Sequence, residues 1–384
     1  MATDGLRKQR DIEQRIESEW REATKHFERM MREEPEDRER CIRRATQHLR
    51  TPAVAEMLLQ ASHKMGFRNA LQSYELARLV LVVAERISGY DPRVGCPLVY
   101  TDYQALGLAQ MANAARIGCW WGLAEEKMTK AFERYPAGTG IPRVVARLHS
   151  LRASLRKDRR QYDEALEDLV IAQELYDEMG NKVDVAKVLL NRGTVLFFQH
   201  RFQQAIDANL RALTTIDEWR EPALASMSSF NSAACYLELG DLDSALKCCS
   251  LLPPLEELGV PRGSMYHGYR IWQLARIQLA KHSFDEARVL LLQALDIFRN
   301  RQIPFNEALV LLDLARLLFE EVSPPTDEFF TMAKQAAQLL KQQTFRPEAT
   351  EVTRLLVETT ESRQLSGPQI QLLSQRLKEY AGSP

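Results

Sequence analysis

The most regularly spaced polar residues of this chain are carboxamides. Gln110, Asn191, Asn231 and Gln273 each stand two residues ahead of a small residue: Ala112, Gly193, Ala233 and Ala275. Leu151 and Asp313 take the equivalent places before Ala153 and Ala315. A carboxamide donates through its NH2 and accepts through its oxygen, which complements a peptide group. A file of them at fixed intervals could grip an extended backbone without reading its side chains. Two helical residues subtend about 200°, so each amide points away from the small residue beside it. One turn earlier the same stripe carries Arg147, Lys187 and Tyr269, and one turn later Asn113, Arg276 and Arg316. Asp313 alone is acidic there, so the stripe suggests an anionic or carboxylate-bearing ligand. Polar residues also fill any solvent-lined groove, and the same stripe fits a bare surface.

Other chemistry is hard to find. There is no P-loop, no G-x-G-x-x-G after a strand, no G-x-S-x-G, no H-E-x-x-H and no EF-hand spacing. Glu125-Glu126 and Glu320-Glu321 read as solvated helix-surface charges. No catalytic residue, metal or cofactor is expected, and the chain is read as a non-enzyme. The six cysteines (Cys41, Cys96, Cys119, Cys235, Cys248, Cys249) show no C-x-x-C spacing. They are expected as small core residues in a reducing cytoplasm, with a redox-sensing Cys248-Cys249 pair as the alternative. His200 and His282 occupy equivalent turns and read as solvated rather than metal-ligating.

Composition excludes several classes. A chain of 384 residues with 45% apolar and 27% charged residues is ordinary for a folded protein. Its net charge of −1 gives no general pull toward nucleic acid or anionic membrane, so direct nucleic-acid binding is not expected. No stretch reaches the ~20 apolar residues of a membrane span. The opening MATDGLRKQRDIEQR lacks the apolar core of a secretory signal. These features predict a cytoplasmic protein.

A repeat must position the amide file. The marker alanines Ala77, Ala124, Ala165, Ala205, Ala245, Ala287 and Ala333 are spaced by 47, 41, 40, 40, 42 and 46 residues. Three residues before each comes Tyr74, Trp121, Tyr162, Phe202, Leu242, Phe284 or Phe330. Twelve residues before five of them comes another small residue: Ala112, Ala153, Gly193, Ala233 or Ala275. Small residues on two consecutive helices let their backbones approach, and a unit of this length buries its apolar face only by stacking on the next. In the fourth unit the pattern predicts a first helix from Val185 to Gln199, a turn at His200-Arg201, and a second helix from Phe202 to Asp217. Ala205 is expected opposite Gly193.

Over roughly Thr51 to Leu340 these features resemble the tetratricopeptide family. The small residues at the eighth, twentieth and twenty-seventh places, the aromatic at the seventeenth, and turn residues such as Asp163-Glu164 and Asp285-Glu286 match its pattern. The period is ~40 rather than 34, and the signature Trp and terminal Pro are mostly absent. Such long-helix units are similar to the sensor regions of bacterial helix-turn-helix regulators. The resemblance implies that the amide stripe faces the concave groove, where Asn191 and Asn231 match the family's peptide-clamping position. It places Gln110, Asn113, Arg147, Lys187, Tyr269, Gln273, Arg276 and Arg316 in the same groove.

The ends differ. Ile12, Ile16, Trp20, Phe27, Met30 and Met31 draw an apolar stripe on a charged helix ended by Pro35, and Glu36-Asp37 opens a second one. Residues 1–50 are read as charged amphipathic helices that cap the first repeat or form a homodimer contact. The expected fold is an all-α, right-handed α-solenoid of about six to seven helix pairs over 51–345, with capping helices over 346–384. The expected function is a non-catalytic scaffold or sensor whose groove binds a partner protein or extended peptide. The alternative is the sensory part of a bacterial transcription regulator without its own recognisable DNA reader.

Overall fold

The computed structural model describes residues 2–45, 49–66, 69–87, 98–322, 325–343, 345 and 347–381, with side chains left aside for 2–16 and 379–381. Ile12 and Ile16 therefore fall outside the described side chains, and Cys96 and Ser323-Pro324 outside the described residues. Regular structure among the described residues is helical throughout. In chain order the helices are α1 (Ala2–Arg32), α2 (Pro35–Arg44), α3 (Pro52–Gly66), α4 (Ala70–Ala84), α5 (Val99–Ile117) and α6 (Trp121–Arg134). They continue with α7 (Pro142–Asp158), α8 (Tyr162–Glu178), α9 (Lys182–Phe198), α10 (Phe202–Thr215), α11 (Pro222–Glu238) and α12 (Leu242–Cys249). The last six are α13 (Met265–Ala280), α14 (Phe284–Asn300), α15 (Pro304–Glu321), α16 (Asp327–Lys341), α17 (Pro347–Glu361) and α18 (Gly367–Ala381). No helix among the described residues is long and apolar enough to cross a membrane.

The helices form hairpins, each pairing a first helix with the second that follows: α3 with α4, α5 with α6, α9 with α10, α11 with α12, α13 with α14, and α15 with α16. Neighbouring first helices also touch, α3 on α5 and α5 on α7, then α9 on α11 and α11 on α13. This is an all-α tetratricopeptide-like repeat. The residues divide into two compact units, Met1–Arg159 with Val170–Leu175, and Arg160–Leu169 with Tyr176–Pro384, so α8 contributes to both.

Local chemistry explains the hairpins. Pro142, Pro222 and Pro304 open α7, α11 and α15 at the first turn, where a missing N–H costs nothing. Asn181, Asp241 and Ser264 cap α9, α12 and α13 by accepting from the backbone N–H three residues on. The turns inside four of the hairpins, α5–α6, α9–α10, α11–α12 and α13–α14, each use one residue in the left-handed region: Cys119 (φ 59°), His200 (φ 57°), Gly240 (φ 75°) and His282 (φ 57°). The next backbone N–H then reaches back five residues: Trp120 to the Ala115 carbonyl, Arg201 to Leu196, Asp241 to Tyr236 and Ser283 to Gln278. The exposed turn histidines are thus backbone devices. No group of three His, Cys, Asp or Glu among the described residues could hold a metal.

In the α9–α10 hairpin Gly193 faces Asn209: a Cβ added there would fall 2.8 Å from Asn209 Cγ and 3.1 Å from Nδ2. Residues equidistant from a turn face each other in antiparallel helices. The turn centres on His200, so Gly193 stands level with residue 207, between Ala205 and Asn209 one turn apart on α10, and Ala205 is buried in a cluster with Leu196.

In the first unit, Ala23, Met30 and Ile42 are buried in one cluster with Leu58, Leu59 and Leu79, and Trp20 and Phe27 pack against it. The helices α1 and α2 therefore cover the first hairpin, α1 on α3 and α2 on α4. In the second unit, α12 is only 8 residues long. Pro253-Pro254 stops the chain from coiling further. Leu252, Leu255, Leu258 and Val260 of the following loop bury themselves instead against Ala225, Leu213, Ile216 and Tyr266. Cys248 and Cys249 are free and buried, and burial pushes the Cys249 thiol up to about 12, as it does for Cys235. Such a thiol is a packing residue, with almost no thiolate to oxidise.

Candidate functional site

The face of first helices carries the amide stripe in both units, in different states. In the first unit it is closed. Gln110 and Asn113 on α5 are buried, and Asn113 Oδ1 accepts from Arg116 Nε at 3.1 Å. Arg116 is in turn ion-paired with Asp158. Arg147 on α7 reaches Glu56 on α3 at 3.1 Å, two hairpins away, and so spans the α5 face between them.

In the second unit the stripe runs from open to covered. Lys187 and Asn191 on α9 are exposed, and Asn231 on α11 is half-buried. Neither Asn191 nor Asn231 makes a side-chain hydrogen bond among the described residues, so each keeps a free donor and a free acceptor. They stand one repeat apart on touching helices. Met227, one turn before Asn231, is 37% exposed. Phe230 leans from α11 onto Tyr269 of α13, ring centroids 5.1 Å apart. Tyr269 is half-buried, and burial pushes its phenol up to about 12.

Across α13 and α15 the stripe is built into the protein. Trp272 Nε1 donates to Asp313 Oδ2 at 2.7 Å, and both are buried. Gln273 is fully buried, its Oε1 3.4 Å from Arg276, while its Nε2 has no partner. The helix α18 covers this end. Gly367 packs so tightly on Phe319 of α15 that a Cβ would fall 2.8 Å from the ring's Cε1. Ile370, Leu373 and Leu377 then join the core that holds Trp272 and Leu309. The ammonium of Lys378 ends 5.4 Å from the Trp272 ring centroid. Burial, with Arg276 nearby, pulls this lysine down to about 8 against the opposing pull of Asp313 and Glu238.

The stripe's cations are also spoken for. Lys187 pairs with Asp184 at 2.8 Å, Arg276 with Glu238 at 3.6 Å, and Arg316 with Glu320 at 2.7 Å. The net basic surface read from the stripe is therefore neutralised by acids that lie off it. Of the ten sequence-selected residues, the structure leaves Lys187, Asn191 and Asn231 facing outward on adjacent helices. It places Gln110, Asn113 and Gln273 inside, Tyr269 half-buried against Phe230, and Arg147, Arg276 and Arg316 in ion pairs. Residues that the sequence reading did not single out are Met227, Phe230 and Lys378. One signal was present in the chain: Leu309 stands where other units carry Lys187 or Met227, and an aliphatic residue there announces a covered face.

A cavity between α11 and α13, lined by Ser226, Ser229, Phe230, Cys249, Arg270 and Gln273, holds about 10 Å³, the size of one water. It is too small for a substrate.

No family model and no curated protein sequence matches the chain. Solved structures do. Over 96% of its length the chain is similar to the apo form of the quorum sensor NprR from B. thuringiensis, covering 100% of that chain at 11% identity with a TM-score of 0.53. It is similar to the apo form of RapI at 14% identity and a TM-score of 0.53, over 72% of this chain and 95% of that one. The Rap conjugation gene regulator of plasmid pLS20, solved with the Phr* peptide, matches at 15% identity and a TM-score of 0.51, over 86% and 98%. At such identities the likeness is one of fold. With its stacked hairpins and small-residue seams, the chain is a tetratricopeptide-like repeat protein.

Proposed function

We propose that this chain is a non-catalytic peptide-binding sensor or scaffold, and that the first-helix face of its second unit receives an extended segment of a partner. The observation that carries this reading is the pair Asn191 and Asn231. They are the stripe amides left both accessible and unpaired, one repeat apart on touching helices. Each offers a donor and an acceptor to a passing backbone. The fold supports the reading: one structural neighbour is described as a quorum sensor, and another was solved with a peptide bound. Those descriptions belong to those proteins, and here they motivate a test. Full-length protein is panned against a displayed random-peptide library, alongside the Asn191→Ala/Asn231→Ala variant. A pool that binds the wild type and not the variant supports the proposal. Equal recovery on both sends the binding surface elsewhere.

A second reading, the sensory part of a transcription regulator, draws on the neighbour described as a conjugation gene regulator. A salt-sensitive mobility shift on generic duplex DNA would favour it.

A further inference from the structure

The ligand chemistry of this face can be taken further, on the assumption that it binds a peptide at all. We infer that the bound segment is uncharged where it crosses α11 and seats an apolar side chain on Met227 beside Phe230. The helix α11 carries no Asp, Glu, Lys or Arg between Pro222 and Leu237, an unusual stretch in a chain that is 27% charged. The stripe cations on the flanking helices are already paired, Lys187 with Asp184 and Arg276 with Glu238, so an acid there would have to compete with those carboxylates. A carboxylate laid on α11 would lose hydration, and the stripe cations on either side already hold acids.

An apolar side chain finds the opposite. Met227 is 37% exposed, one turn before the unpaired amide of Asn231, with the Phe230–Tyr269 ring pair behind it. In an extended segment successive side chains point to opposite sides. A backbone held by Asn231 therefore turns alternate side chains toward the helices, where Met227 lies within one turn. An unbranched thioether adapts to aliphatic and aromatic shapes alike. The site then reads one apolar residue by contact and its neighbours by backbone, with little dependence on ionic strength.

The test uses full-length protein and a displayed random-peptide library at about 0.05 M and about 0.5 M salt. Wild type, Met227→Ala, Met227→Glu and Asn191→Ala/Asn231→Ala are panned in parallel, after melting curves establish that each is folded. The expected pool centres on one Leu, Ile, Met or Phe with uncharged neighbours and is recovered equally at both salts. Recovery falls about tenfold on Met227→Ala and further on Met227→Glu. An Asp- or Glu-rich pool that vanishes at the higher salt overturns the inference while leaving peptide binding intact. So does a pool recovered equally well on Met227→Glu. A pool that ignores the two asparagines overturns the binding reading itself, and this inference with it.

Discussion

Substituting Gly193 with alanine tests the hairpin seam on which the whole repeat depends. Gly193 sits in the middle of α9, where alanine is intrinsically better by about 0.8–1.0 kcal/mol. Here that gain meets an obstacle, because the new Cβ would fall 2.8 Å from Asn209 Cγ and closer still to its carbonyl oxygen. Asn209 is 1% exposed and cannot swing clear into solvent. Overpacking of this kind costs about 1–3 kcal/mol, so the net change should be a loss of about 0–2 kcal/mol. Asn209→Ala removes both the obstacle and a buried carbonyl oxygen that has no partner. In that background Gly193→Ala should stabilise by about 1 kcal/mol. The coupling between the two sites is then about 1–3 kcal/mol, well above the ~0.3–0.5 kcal/mol scatter of independent positions. Native-state hydrogen exchange of the α9 amides reads the local stability without assuming that a repeat array unfolds in one step. Additive effects within that scatter would refute the seam geometry.

Three further outcomes follow from the fold. His200→Gly should raise the melting temperature, by the equivalent of about 0.5–1 kcal/mol, because His200 is exposed and holds φ at 57°; a lower melting temperature would mean the turn is not left-handed there. Removing residues 1–50 should uncover Leu58, Leu59 and Leu79 and cause concentration-dependent light scattering, whereas a truncated chain that stays monodisperse and equally stable would contradict the capping role. Lys378 has a folded pKa lowered to about 8, so between that value and about 10.4 the unfolded chain holds more protons than the native one. Its contribution to stability should rise with pH across that window, by up to about 1.4 kcal/mol per unit. Cys235, Cys249 and Tyr269, raised to about 12, push stability the other way as pH increases. The lysine is therefore isolated by the wild-type minus Lys378→Met difference in denaturant-unfolding stability, which should climb from pH 8 to pH 10 and would be flat if the ammonium were solvated.

Much of the fold is legible in the chain because its physics is local. Close helix crossings demand a small residue every time, and the marker alanines record each one. The turns demand a left-handed residue followed by a helix start, and His200-Arg201-Phe202 and His282-Ser283-Phe284 spell it. The site is less legible because its decisive partners are distant or off the stripe. Arg147 is neutralised by Glu56, which stands 91 residues earlier in the chain. Asp313 continues the amide series by position, yet its carboxylate serves the Trp272 indole. The covering of α13 and α15 depends on α18 folding back to α15, a choice between long-range packings that no local pattern encodes. Counting residues outward from the turn puts Gly193 level with residue 207, between Ala205 and Asn209, and Asn209 is the side chain that fills the gap.

The central claim is that Asn191 and Asn231 hold a peptide backbone. Its most direct measurement is a calorimetric titration of one library-selected peptide into wild type and into Asn191→Ala/Asn231→Ala. Each hydrogen bond lost is worth about 0.5–1.5 kcal/mol, so the double variant should bind about tenfold more weakly or worse, with an unchanged melting temperature. Equal affinity for both proteins would contradict the account and leave the two amides as solvated groove residues.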